Sequence, residues 1–147
     1  MRIGLEIKKL HMLISCKLRS STSIKAMDDM TNTHGYILKY LADRDGQEVF
    51  QRDIERDFRI SRPTASEVLK LMEKNGLIER KSVEYDGRLK RLFLTEKGRS
   101  LNGMVRQEFD RFEARLSSML SEEDEARLEE IIDKLTRGLM DDKKEVL

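Results

Sequence analysis

The sequence predicts a mainly α-helical fold that carries one small β-hairpin. Three observations predict it. Apolar residues recur at intervals of three and four along most of the chain. There is one proline and no tryptophan, a composition that leans helical. The period changes from helical to alternating only between Leu77 and Leu94, around the pair Asp86-Gly87, a hairpin signal.

Composition sets the frame. A chain of 147 residues has the length of one domain and can bury a core without disulfides or metal. Charged residues reach 39% against 38% hydrophobic, which suits helices with thin apolar stripes and solvated outer faces. Cys16 is the only cysteine, so no intrachain disulfide forms and the cytoplasm is the expected compartment. Lys8, Lys9 and Lys17 interrupt the N-terminal segment, which predicts neither a signal peptide nor a membrane span.

The elements follow in order. From Ile3 to about Met27, Ile3, Ile7, Leu10, Ile14 and Leu18 form a helical stripe. Thr31 or Thr33 caps a second helix bearing Ile37, Leu38 and Leu41, ended by Asp43-Arg44-Asp45-Gly46. Glu48-Val49-Phe50 is a short extended piece. A short helix with Ile54 and Phe58 one turn apart comes next, broken at Arg59-Ile60. Ser61 is a good N-cap, and Pro63 fits the first turn of the following helix, where a missing N–H costs nothing. Ala65, Val68, Leu69 and Met72 give that helix a buried stripe, and Asn75-Gly76 ends it. After the hairpin, Thr95 caps a long helix whose stripe is Leu101, Met104, Val105, Phe109, Phe112, Leu116 and Met119. Ser121 and the acids after it start a last helix, with Leu128, Ile131, Ile132, Leu135 and Leu139 on one side.

Two short helices, a tight turn, a capped second helix and a hairpin make a winged helix-turn-helix, here between Gln47 and Gly98. Such a unit places the N-terminus of its second helix in the major groove of DNA. Small polar and basic residues are needed there, and Ser61, Arg62, Pro63, Thr64 and Ser66 supply that start. Lys70 and Lys74 follow at four-residue intervals from Ser66, placed to track the phosphate backbone. Arg88, after Asp86-Gly87, has the size and charge for a narrow minor groove, and Lys90 stands on the strand behind it. The net charge of the chain is only +1, so a nucleic-acid surface requires local sorting. Between Arg59 and Arg91 nine basic residues face five acidic ones. From Ser118 onward ten acidic residues face five basic ones. Glu67 departs from the pattern: it either accepts a hydrogen bond from a cytosine amino group or pairs with Arg62 or Lys70.

The stretch from Ser61-Arg62-Pro63-Thr64-Ala65-Ser66 through Met72-Glu73-Lys74-Asn75-Gly76-Leu77-Ile78-Glu79-Arg80 resembles the recognition helix and first wing strand of the MarR family. Asp86-Gly87-Arg88 to Leu94-Thr95-Glu96-Lys97-Gly98 resembles that family's wing and the helix start after it. The resemblance covers essentially the whole chain. It implies a homodimeric winged helix-turn-helix regulator on a pseudo-palindromic operator, a repressor often released by a small anionic or phenolic effector. By position it puts Arg62, Pro63, Thr64, Ser66 and Lys70 on the groove-facing helix and Arg88 on the wing. Asp86 matches an aspartate that steadies a neighbouring arginine. Helices in 1–30 and 99–147 are then the dimerisation frame, and 31–98 the DNA-binding region. The apolar stripes of the first and the last two helices point the same way, being more than a small winged domain covers alone.

An effector pocket between the first, second and long fifth helices is implied by the family only, with Cys16, His34, Tyr36 and Tyr40 as polar lining. Some members sense peroxide through a cysteine in the first helix. Here Cys16 is read instead as a buried bystander, with redox sensing as a competing reading. His11 and His34 have no second ligand at metal spacing, so neither a metal nor a cofactor is expected. No phosphate loop, nucleophile elbow or cluster of catalytic acids is present, so an enzyme is not expected. A winged helix used only for protein contact is the rival function.

Overall fold

In the computed structural model, residues 1–20 and 32–145 are described. The helix extension to about Met27 and the Thr31 cap lie outside the described residues. The order is α1 (Ile3–Arg19), α2 (Asn32–Asp43), α3 (Gln51–Phe58), α4 (Arg62–Lys74), β1 (Ile78–Val83), β2 (Asp86–Leu94), α5 (Glu96–Ser117) and α6 (Glu122–Glu145). The chain divides into two compact units, Met1–Phe109 and Asp110–Leu147.

In the first unit, Ile37, Leu38, Ile54, Ala65, Leu69, Met72, Leu77, Ile78 and Val105 are fully buried and form the core. Two close approaches shape it. Gly35 on α2 leaves room for the Phe109 ring, whose Cζ would lie 2.7 Å from an added Cβ. Gly98 lies against the Leu77 carbonyl, where a Cβ would stand 2.1 Å from the oxygen. Thr95 closes the same corner: its hydroxyl donates to the Gly76 carbonyl at 2.6 Å and accepts from the Gly98 N–H at 3.0 Å. The Glu48-Val49-Phe50 piece appears as a bridge between Phe50 and Arg91, beside a bond from the Leu92 N–H to the Val49 carbonyl at 2.8 Å. This stitches the hairpin to the segment that enters α3.

On α1 only Leu18 is buried, and Ile3, Ile7 and Leu10 lie on the surface. Three expectations change. Thr33 is inside α2 and is not its cap. Cys16 is exposed, not buried. Finally, the hairpin turns at Glu84-Tyr85, not at Asp86-Gly87. Neither Asp86 nor Gly87 takes the positive φ that a type I′ turn on this pair requires. The Asp86 carboxylate instead accepts from the Arg88 N–H at 3.0 Å, a local bond that aspartate readily makes to the backbone two residues on. Ser82 pairs with Lys90 and Val83 with Asp86, so Gly87, Arg88 and Leu89 bulge from the ladder.

The second unit holds the end of α5 and all of α6. Ser121 caps α6 in a reciprocal box: its hydroxyl accepts from the Asp124 N–H at 3.1 Å, and the Asp124 carboxylate accepts from the Ser121 N–H at 3.3 Å. Leu128, Ile131, Ile132, Leu135 and Leu139 make one stripe, every member of it between 37% and 68% exposed. No helix among the described residues is long and apolar enough to cross a membrane.

Candidate nucleic-acid interface

The entry to α4 is built by local chemistry. Arg59 takes a left-handed backbone, φ 54°, the only positive φ at a non-glycine residue among those described. The chain then extends through Ser61, whose hydroxyl oxygen accepts from the Thr64 N–H at 3.3 Å and whose O–H donates to the Thr64 hydroxyl at 2.9 Å. Arg62 and Pro63 open the helix. Arg62, Pro63 and Thr64 are exposed and Ser66 is half-buried.

Behind this start, Ala65, Leu69 and Met72 are buried and set the inner face. Helical phase then places Pro63, Glu67, Lys70 and Lys74 along the outward ridge. Arg62, Glu67, Lys70 and Lys74 have no ion-pair partner among the described residues. Lys74 stands about 18 Å from Arg62 along the helix axis. Glu73 is committed elsewhere, accepting from Arg80 Nε on β1 at 2.7 Å and tying α4 to the wing.

The wing bulge presents Arg88 with its side chain 92% exposed. Asp86 Oδ1 holds its Nε at 3.3 Å as well as its backbone N–H, so the aspartate fixes the root of the arginine and leaves the guanidinium outward. Lys90 Nζ donates to the Ser82 hydroxyl at 2.7 Å across the ladder.

Between the start of α3, the start of α4 and the wing lies a cleft of about 460 Å³. Arg52, Arg62, Arg80, Arg88 and Lys90 line it, together with Phe50, Gln51, Glu55 and Leu89. Five cations thus face one carboxylate in a concave wall. A lining of mostly positive charge attracts and concentrates an anionic backbone. The structure brings Arg62, Arg88 and Lys90 of the predicted residues into this cleft. Asp86 supports it, Ser61, Pro63, Thr64 and Ser66 form the neighbouring helix start, and Lys70 and Lys74 lie outside on the ridge. Arg52 and Arg80 also line the cleft, outside the residues the sequence pattern points to. Arg52 sits in an alternating-charge run that reads as an ordinary solvated helix. Arg80 belongs to the basic segment, but only its strand register, opposite Leu92, turns it to the cleft side.

The four residues expected to line an effector pocket separate. A second cleft, of about 410 Å³, is lined from α1 and α2 by His11, Ile14, Ser15, Leu18, Arg19, Thr33 and Tyr36. Only Tyr36 of the four is there; its ring meets Phe109 of α5 edge-on at 4.7 Å. His34 is buried within the fold, Cys16 is exposed, and neither lines this cleft. Tyr40 is engaged with α3: its hydroxyl donates to Asp57 Oδ2 at 2.5 Å. The hydrogen bonds from Arg56 and then Tyr40 hold the Asp57 carboxyl down at about 2. Partial burial, with the bond to Asp57 next, raises the Tyr40 phenol. No group of three or more His, Cys, Asp or Glu among the described residues is placed to hold a metal ion.

Residues 28–89 match the MarR family. The chain is 29% identical over 114 residues to the HTH-type transcriptional regulator YybA of Bacillus subtilis (strain 168), spanning 77% of this chain and 75% of that protein. Its fold is similar to that of MepR of S. aureus in a DNA complex, with a TM-score of 0.83 at 27% identity over 95% of this chain and 99% of that one. It is also similar to the transcription regulator MarR of Oenococcus oeni PSU-1, with a TM-score of 0.78 at 30% identity over 92% and 98% of the two chains. YybA and the Oenococcus oeni protein are transcriptional regulators, not enzymes.

Proposed function

This chain belongs to the MarR family of transcriptional regulators, and from that premise we propose that it is a sequence-specific DNA-binding repressor. It acts as a homodimer on a pseudo-palindromic operator in the cytoplasm. The observation that carries the reading is the basic cleft beside the start of α4. Five cations line it, and next to them stand exposed, small polar side chains at a helix N-terminus. The cations position the duplex through its phosphates, while the helix start reads base edges. The DNA-bound S. aureus relative supports this reading through its similar fold.

A second copy covers the apolar side chains that this chain leaves exposed on α1 and α6. Two reading heads then stand one groove repeat apart, roughly 34–36 Å. A small anionic or phenolic effector, seated where His11, Arg19 and Tyr36 face the α1–α2 cleft, releases the DNA by changing that spacing. The coupling expected between effector and DNA is about 1–3 kcal/mol.

The test is selection of bound duplexes from a random pool, followed by titration of the winner at rising salt. A palindrome with two half-sites is expected. Log affinity should fall with log salt at about −0.9 per phosphate neutralised. No enriched sequence, or salt-independent binding, would defeat the proposal. Sedimentation of the free protein decides the dimer separately.

A further inference from the structure

We propose that Tyr40 is the positioning residue of the reading head, acting through its hydrogen bond to Asp57; the role rests on the DNA-reading function above. Tyr40 lies on α2, outside the helix-turn-helix, yet its hydroxyl reaches Asp57 near the end of α3 at 2.5 Å. The ring is itself held. The Arg44 guanidinium lies 3.6 Å above it, and Phe58 meets it edge-on at 5.5 Å. Arg44 also donates to the Tyr40 carbonyl at 3.3 Å. The other oxygen of Asp57 accepts from Arg56 Nε at 2.7 Å, so the carboxylate is oriented before Tyr40 reaches it.

The place of this bond gives it leverage. Helix α3 has eight residues, too few to be stable alone, and its only fully buried side chain is Ile54. One buried anchor fixes a short helix at a point and leaves its tilt to other contacts. Two residues beyond Asp57 the backbone turns through the left-handed Arg59, held by bonds from the Arg59 N–H to the Arg56 carbonyl and from the Ile60 N–H to the Glu55 carbonyl. Ser61 then caps α4. The direction in which Arg62 and Thr64 are presented therefore depends on where the end of α3 is held, and Tyr40 holds it from outside the head. Both partners are solvent-accessible, so the bond contributes little to global stability. Its effect is on geometry.

Tyr40→Phe, Asp57→Ala and the double variant test this with two readouts. The first needs no DNA: amide exchange at Ile60 should accelerate about fivefold in Tyr40→Phe, while the Leu69 and Met72 amides keep their protection. The second is the ratio of affinities for the selected duplex and a random duplex. It should fall about fivefold in each single variant and no further in the double, with random-duplex binding unchanged. A loss of folded protein lowers both affinities by the same factor and leaves the ratio intact, so the ratio separates positioning from stability. Unchanged Ile60 exchange, or an unchanged ratio in Tyr40→Phe, overturns the proposal. If the wild type prefers no duplex, the DNA-reading function fails by itself, and Ile60 exchange still decides the role of Tyr40.

Discussion

The reading head and the C-terminal helix treat the same kind of residue in opposite ways. In the head, Ile54, Ala65, Leu69, Met72, Leu77 and Ile78 are buried and the charges point outward. On α6, a stripe of equal regularity, Leu128 to Leu139, remains exposed. The head closes its core within one chain, whereas every member of the α6 stripe keeps 37% or more of its surface exposed among the described residues. Each such side chain taken from half-exposed to buried would contribute about 1 kcal/mol. The difference separates residues that make the fold from residues available to a second copy.

The sharpest break of that comparison is in the cores. Leu69→Ala empties a fully buried position and should cost about 2–5 kcal/mol in urea unfolding. Leu128→Ala, measured at a concentration where the chain is monomeric, should cost less than about 1 kcal/mol. Equal costs would erase the distinction. The next effect is on assembly. Ile132→Asp should leave the helical circular dichroism of the dilute protein unchanged and shift its sedimentation from dimer to monomer. Operator affinity should fall about tenfold or more as the two heads become independent. A variant that remains dimeric would remove α6 from the proposed interface.

How far each region was legible in the sequence follows from how local its determinants are. The borders of α4 were legible because Ser61, Pro63 and Asn75-Gly76 act within one turn, and Gly76 does take a positive φ of 72°. The stripes of α1 and α6 were legible as periodicity, but period does not say what covers a face. The hairpin existed where alternation placed it, yet its turn moved, because the Asp86 carboxylate bonds to Arg88 instead of serving a tight turn. The cleft was legible only in part. Arg52 and Arg80 line one cleft because the Phe50–Arg91 bridge fastens the wing to the start of α3, a contact across 41 positions that no local pattern announces. Tyr36 and Tyr40, one turn apart on α2, look like joint pocket lining. They diverge because Tyr36 faces α1, whereas Tyr40 reaches Asp57 on α3.

Within the head, the comparison can be refined between cations that position and side chains that read. Arg88→Ala should weaken binding to every duplex and reduce the salt slope by about one phosphate. Thr64→Ala should leave random-duplex binding unchanged and alter base preference in repeated selection, at about 1–3 kcal/mol for the affected position. Unchanged operator affinity in Arg88→Ala would remove the wing from the interface. A smaller effect concerns acid. The folded Asp57 carboxyl is lowered to about 2 from an ordinary 3.8, so its contribution is present above about pH 4 and lost as pH falls through 2. The contribution is below about 1 kcal/mol because the pair is open to solvent. Asp57→Ala should flatten the stability curve in that window, and an unchanged wild-type slope there would argue against the bond in solution.

The smallest effect concerns Glu67, which stands on the outward ridge of α4 between Pro63 and Lys70. Pairing with Arg62 or Lys70 would have neutralised it, but neither pair forms. If the proposed mode turns this face to phosphate, the carboxylate repels DNA, and Glu67→Gln should raise random-duplex affinity about twofold to threefold. A carboxylate also accepts from a cytosine amino group in the major groove. If Glu67 does so, the variant that binds random DNA better will discriminate less at one position of each half-site. Selection repeated with Glu67→Gln distinguishes the two roles: loss of a cytosine preference marks a reading residue, and an unchanged motif with uniformly tighter binding marks a purely repulsive one. Weaker binding to random duplex in the variant would contradict both and would place the ridge of α4 away from the DNA.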